Sequence, residues 1–90
     1  MSGQERLVTV VNRLGLHARP AAEFVKVASK YEAEITVSRD TMEVNGKSIL
    51  GVMTLAAECG SQLLLRAKGE DAEAALDALA EVLAREFGQL

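Results

Sequence analysis

The residues best able to carry out chemistry lie together at positions 15–20, in the run Gly-Leu-His-Ala-Arg-Pro. This run contains the only histidine of the chain, His17, and its only proline, Pro20. Pro20 stands where an apolar helical pattern begins, and its fixed φ suits the first turn of a helix, where a backbone N–H has no partner. His17 is therefore predicted to lie just before a helix N-terminus, where unpaired amides and the helix dipole favour phosphate.

An imidazole in that place is a nitrogen nucleophile beside a phosphate site. Arg19 adds a fixed cation whose planar donors match phosphate oxygens. The backbone amides of Ala18 and Arg19 would cradle the phosphate, and such positioning and charge compensation are most of what phosphoryl transfer needs. We therefore expect His17 to accept a phosphoryl group and to pass it on. A histidine that simply lies on the surface near a helix end fits the spacing equally well.

The elements that must position these groups follow from hydrophobic periodicity. A helix is predicted from residue 18 to about residue 31, because apolar side chains recur there at helical spacing. Its expected buried stripe is Ala21, Phe24, Val25, Ala28 and Tyr31. A second long helix is predicted to run to about Phe87, with Glu70 or Asp71 as its N-cap. The buried stripe of that helix is expected to be Ala72, Ala75, Leu76, Leu79, Leu83 and Phe87.

Four strands complete the pattern. Residues 7–11, 34–39, 42–44 and 62–68 are rich in β-branched or alternating apolar residues between turn signals. With the helices, the order is strand, helix, strand, strand, helix, strand, helix. Strands and helices do not alternate strictly in this order, which argues against an all-parallel sheet. The order favours an α+β fold in which a four-stranded, mainly antiparallel sheet carries its helices on one face.

A short helix is predicted from residue 49 to residue 55, with Ser48 as its N-cap. Its side chains are apolar nearly all round: Ile49, Leu50, Val52, Met53 and Leu55. A surface helix of a small domain cannot bury every side. We therefore expect some of Ile49, Leu50 and Met53 to stay exposed as a docking surface for a partner. These three residues are called the apolar patch below.

Composition limits the remaining classes of function. Ninety residues suit a single domain, 1–90, and no apolar run approaches the ~20 residues of a membrane span. A net charge of −3 and only three aromatic residues argue against direct nucleic-acid binding. The N-terminus has no apolar signal region, and the one cysteine, Cys59, fits a reducing cytoplasm as a small semi-buried residue. Cys59 and His17 cannot complete a structural zinc site, so we expect neither metal nor cofactor.

Two motifs make the chain resemble the histidine-containing phosphocarrier protein (HPr) family of the bacterial phosphotransferase system. They are Gly-Leu-His-Ala-Arg-Pro-Ala-Ala at 15–22 and Gly-Lys-Ser-Ile-Leu-Gly-Val-Met-Thr-Leu at 46–55. The spacing between them and the long last helix also agree, so the resemblance covers essentially the whole chain. It implies the HPr-like open-faced β-sandwich, with four antiparallel strands and three helices on one face.

The resemblance also implies a role for each matching residue. His17 would be phosphorylated on Nδ1 by the phosphoenolpyruvate-dependent Enzyme I and would donate the group to IIA domains, assisted by Arg19. Ser48 would be a regulatory phosphorylation site where an HPr kinase/phosphorylase is the partner. The docking face would comprise Leu16, Ala22, Ile49, Leu50 and Met53. The chain would then be a monomeric, cytoplasmic, stoichiometric carrier and not a turnover enzyme.

Two alternatives stay open at this point. The run Asn12-Arg13-Leu14 is similar to the nitrogen-related branch of the family (NPr), whereas the segment around Ser48 is similar to the sugar branch. The pathway is therefore undecided. A different class of function is a regulatory protein-interaction module, in which the apolar patch binds partners and His17 is incidental.

Overall fold

The computed structural model describes residues 3–85. Its elements are β1 (Gly3–Thr9), α1 (Ala18–Ala28), β2 (Glu34–Arg39), β3 (Met42–Asn45), α2 (Ile49–Thr54), β4 (Gln62–Lys68) and α3 (Ala72–Ala84). The four strands form one sheet in the order β1-β4-β2-β3, and every neighbouring pair is antiparallel. The predicted element order and the α+β, open-faced architecture are confirmed.

The core lies between one face of the sheet and the helices. Strand residues of alternating position point into it, as the two-residue period of a strand requires: Ile35, Val37, Leu63, Leu65 and Ala67. Phe24 of α1 and Leu76 and Leu79 of α3 are buried in the same cluster. The opposite face of the sheet is open, and there Arg66 pairs with Glu5 at 2.9 Å.

Two predicted boundaries shift for identifiable reasons. Helix α1 ends at Ala28 and not near Tyr31, because the backbone bonds after it span three residues and not four. Lys30 N–H donates to Val27 O at 3.0 Å, and Tyr31 N–H donates to Ala28 O at 3.2 Å. Val27 is buried in the core, whereas Val25 and Tyr31, which were predicted for the buried stripe, are only partly buried and pack against its edge. Strand β1 begins at Gly3 and ends at Thr9, whereas residues 7–11 were predicted, because its ladder with β4 extends from Gly3 to Thr9.

Asp71 precedes α3 as its N-cap, but its side chain does not cap the helix. The two carboxylate oxygens instead accept the backbone N–H groups of Glu32 (2.8 Å) and Ala33 (2.9 Å). The predicted N-cap position is therefore confirmed at Asp71, although no capping hydrogen bond from its side chain accompanies it. The carboxylate holds the segment between α1 and β2 against the start of α3. Phe87, predicted for the buried stripe of this helix, lies outside the described residues.

Candidate functional site

The backbone of His17 occupies the N-cap position of α1. Its extended conformation (φ −79°, ψ −167°) precedes the helix, and its carbonyl accepts the first helical bond, from Ala21 N–H at 3.0 Å. Pro20 is the third helical residue and has no N–H to offer. Ala18 and Arg19 therefore hold the free amides at this helix end, and within residues 3–85 no side chain caps them.

The two nitrogens of the His17 ring differ in environment. The side chain is half-buried, and Nε2 is the one buried side-chain nitrogen or oxygen in residues 3–85 that lacks a hydrogen-bond partner. A buried atom cannot meet an incoming group. As the ring stands, Nε2 is therefore closed to an incoming group, and reaction through Nδ1 stays a prediction of the resemblance.

A short, hydrogen-bonded turn carries His17. The side-chain oxygen of the buried Asn12 accepts the N–H of Leu14 at 3.0 Å, and the carbonyl of Asn12 accepts the N–H of Gly15 at 2.9 Å. One residue later, Leu16 N–H donates to Ala57 O at 2.8 Å. The residue before His17 is thus tied to the segment that follows α2.

Gly15 is required by this turn for two separate reasons. Its φ is +72°, a region that L side chains rarely adopt. A Cβ there would also lie 2.5 Å from Ala57 O and 3.0 Å from Glu58 Cα. The sequence analysis used Asn12 only for the similarity to the nitrogen-related branch, and Gly15 only as the first residue of the histidine motif. The signal was present, since asparagine three residues before glycine is typical of a turn of this kind.

Arg19 is exposed on the first turn of α1, and Arg13 is exposed in the loop before it. Within residues 3–85, neither guanidinium has a hydrogen bond or an ion pair. By contrast, Arg6 pairs with Asp77 at 2.7 Å, and the guanidiniums of Arg39, Arg66 and Arg85 also have partners. The two arginines that flank His17 in sequence therefore keep their donors available for an anion.

The predicted cap of α2 is confirmed. Ser48 has an extended backbone, and its Oγ accepts the N–H of Gly51 at 3.1 Å. The hydroxyl is half-buried. Lys47 beside it does not approach the cap, because its Nζ donates to Tyr31 O at 2.7 Å. Ser48 thus serves the local structure whether or not it has a second role.

The apolar patch is exposed as expected. Leu50 is 75% exposed, whereas Ile49 and Met53 are 43% and 42% exposed, and Val52 faces the core. Ala22 is also exposed, on α1. Leu16 is placed differently: it is buried, because its bond to Ala57 draws the residue under the segment after α2. Leu16 therefore cannot contribute to a docking surface, and the expectation that it does is corrected.

Comparison with known proteins agrees with this geometry. The family model described as "PTS HPr component phosphorylation site" matches residues 4–85. The chain belongs to the HPr family. The phosphocarrier protein HPr of Treponema pallidum is 49% identical over 82 residues, which cover 91% of this chain and 93% of that protein. A crystal structure of HPr from Thermoanaerobacter tengcongensis superimposes with a TM-score of 0.89 at 42% identity, covering 97% and 98% of the two chains.

Membership of the HPr family does not separate its branches. The phosphocarrier protein NPr of Shewanella violacea is also similar, at 39% identity over 89 residues, covering 99% of this chain and 98% of that one. Both kinds of relative carry "phosphocarrier" in their names. No helix within residues 3–85 is long and apolar enough to cross a membrane.

Proposed function

We propose that this protein is a phosphocarrier that accepts a phosphoryl group on Nδ1 of His17 from phosphorylated Enzyme I and donates it to IIA domains. The observation that carries the proposal is the environment of His17. Nε2 of its ring is buried, and its backbone is the N-cap of α1, directly before the free amides of Ala18 and Arg19. The HPr family model over residues 4–85 supports the same reading.

The proposed transfer is a displacement at phosphorus, in which one bond forms as another breaks. The Nδ1 lone pair attacks phosphorus, a nitrogen–phosphorus bond forms, and the bond from phosphorus to the donor breaks with its electron pair. The developing charge on the phosphoryl oxygens is met by the amides of Ala18 and Arg19 and by the Arg19 guanidinium. In the second transfer the same bond breaks towards the acceptor. The relay uses no bound metal or cofactor.

The two partners would share one docking site. The apolar patch on α2 and the exposed Ala22 offer apolar contacts, while Arg13 and Arg19 offer unpaired cations. An apolar centre with charged groups around it suits a partner that must bind, react and leave. Because Enzyme I and the IIA domain would compete for this surface, each must release the protein before the other binds.

Ser48 is proposed as a regulatory site for an HPr kinase/phosphorylase. Its hydroxyl already lies at the N-terminus of α2, where a phosphate is tolerated electrostatically. A phosphate on Ser48 would place up to two negative charges next to Ile49 and Leu50. The phosphate would then repel an acidic partner surface, and its desolvation against an apolar partner surface would cost free energy. Phosphorylation of Ser48 would therefore slow transfer to His17.

The test is reconstitution of the relay from phosphoenolpyruvate, purified Enzyme I, this protein and a IIA domain. Mass spectrometry should show an acid-labile gain of about 80 Da on the wild type. His17→Gln should show none, whereas Lys26→Gln, a control on an exposed α1 side chain, should gain the same mass. Absence of the gain on the wild type, or its persistence in His17→Gln, would overturn the proposal.

Three further expectations belong with this function. The buried apolar residues described within residues 3–85 form one cluster. This cluster supports a single domain over residues 1–90, and the protein would act as a monomer in the cytoplasm. It would act stoichiometrically, with turnover supplied by its partners. A regulatory interaction module remains the second candidate because the apolar patch is exposed. Partner binding without any gain of phosphate would favour that candidate.

A further inference from the structure

We infer that Arg39 is a positioning residue for the His17 turn, acting through the segment that follows α2. This inference rests on the proposed phosphoryl transfer, and it concerns a residue outside both motifs. Arg39 is the last residue of β2, on the face of the sheet that bears Ile35 and Val37. From there its side chain reaches the C-terminal end of α2.

The contact is a bifurcated cap. Nη1 of Arg39 donates to Leu55 O at 2.9 Å and to Ala56 O at 3.2 Å. The last carbonyls of a helix have no intrahelical partner, and they lie at the negative end of its dipole. A guanidinium both donates hydrogen bonds to these carbonyls and places a positive charge at the negative end of the helix dipole.

The capped segment has an unusual backbone. Ala56 has φ +50°, a left-handed conformation that costs energy for any residue with a Cβ. Such a residue persists only where its surroundings fix it. Ala56 N–H bonds to Met53 O at 3.0 Å, and Arg39 holds the carbonyl side of the same residue. The guanidinium therefore helps to maintain the turn that leads to Ala57.

Ala57 is the point at which this segment meets the candidate site. Its carbonyl accepts the N–H of Leu16 at 2.8 Å, and it closes the space above Gly15. The connection from Arg39 to His17 is thus continuous: guanidinium, the carbonyls of Leu55 and Ala56, the carbonyl of Ala57, and the amide of the residue before His17. If the cap is lost, the segment can relax, and the backbone of His17 loses its fixed position before the free amides of α1.

The decisive variant is Arg39→Met, which keeps the length of the side chain but removes its donors. We expect kcat for transfer from phosphorylated Enzyme I to fall about tenfold, because small displacements of a reacting group are costly. The KM for the carrier should stay within about twofold, since the apolar patch keeps its side chains. Amide hydrogen exchange at Leu16 should speed up about tenfold, while Leu65 in β4 exchanges as in the wild type.

Arg66→Met is the matched control. Arg66 pairs with Glu5 at 2.9 Å on the open face of the sheet, and it should change neither transfer nor Leu16 exchange. If Arg39→Met does not fold, Arg39→Lys serves instead: one ammonium cannot reproduce the planar fork, so Leu16 exchange should rise and kcat should fall, by less than tenfold. Wild-type kcat or wild-type Leu16 exchange in the folded Arg39 variant would overturn the inference. Failure of the wild type itself to gain phosphate would instead overturn the proposed function.

Discussion

Gly15→Ala tests how tightly the His17 turn is built. Two penalties act on the new methyl group. The left-handed backbone at φ +72° costs about 1–2 kcal/mol for an L residue. The Cβ would also meet Ala57 O at 2.5 Å, and relief of such overpacking costs about 1–3 kcal/mol. The expected loss in the free energy of unfolding is therefore roughly 2–5 kcal/mol.

Gly60→Ala separates the two penalties. Gly60 also has a positive φ, +94°, but no atom lies within 4 Å of its virtual Cβ. This variant should lose about 1–2 kcal/mol, through the backbone alone. Both variants reduce the freedom of the unfolded chain in the same way, so that contribution cancels when they are compared. The difference between them measures the close approach of Gly15 to Ala57.

The assay is urea denaturation followed by circular dichroism, with thermal melts as a second measure. At about 4–8 °C per kcal/mol for a domain of this size, Gly15→Ala should melt about 8–40 °C below the wild type. It should also receive phosphate more slowly, because relief of the clash displaces residue 15, and this displacement is passed through Leu16 to His17. Equal stability of Gly15→Ala and Gly60→Ala would refute the close approach and, with it, our account of the turn.

Three other substitutions test separate contacts. Asp71→Ala removes the acceptor of the Glu32 and Ala33 amides and should lower the free energy of unfolding by about 2 kcal/mol in urea denaturation. A loss under about 0.5 kcal/mol would show that the contact does not stabilise the fold. Ser48→Ala removes the cap on α2 and should lower the free energy of unfolding by about 1 kcal/mol, whereas Ser48→Asp should keep near-wild-type stability. Ser48→Asp should slow phosphoryl transfer to His17, and an unchanged transfer rate would contradict the proposed inhibition by phosphorylation of Ser48. Leu50→Ser changes a side chain that is 75% exposed, so stability should shift by less than about 0.5 kcal/mol while the KM with Enzyme I rises about fivefold; an unchanged KM would remove Leu50 from the docking surface.

The fold could be predicted from the sequence because each element carried its own local signal. Strands β2 and β4 have the predicted bounds, since alternation and flanking turn residues define both ends. Ser48 was identified as the cap of α2 for the same kind of reason: a short hydroxyl residue stands just before an apolar helix. Features of this type depend only on neighbours in the chain.

What could not be predicted depends on contacts between distant segments. Leu16 reads as a surface residue in its motif, but its amide bonds to Ala57, forty-one positions away, and the side chain is buried. Asp71 reads as a helix cap, but its carboxylate is used by the amides of Glu32 and Ala33. Cys59 was expected to be semi-buried, but it is exposed, with Sγ 3.7 Å from Val11 O. Local propensity gives no information about such pairings.

The site itself was predicted only in outline. His17, Arg19 and the amides that precede Pro20 follow from residue type and spacing. The burial of Nε2 does not, because the exposure of one ring atom depends on the folded chain around it and not on residue type or spacing. The turn also depends on Gly15 and on the segment after α2, which lies outside the histidine motif.

The account rests on Nδ1 of His17 as the atom that carries phosphate. The most direct measurement is nuclear magnetic resonance of ¹⁵N-labelled protein after incubation with phosphoenolpyruvate and Enzyme I, in which ¹⁵N–³¹P coupling identifies the phosphorylated ring nitrogen. We predict coupling to Nδ1 and none to Nε2. Coupling to Nε2, or no coupling to either ring nitrogen, would contradict the account.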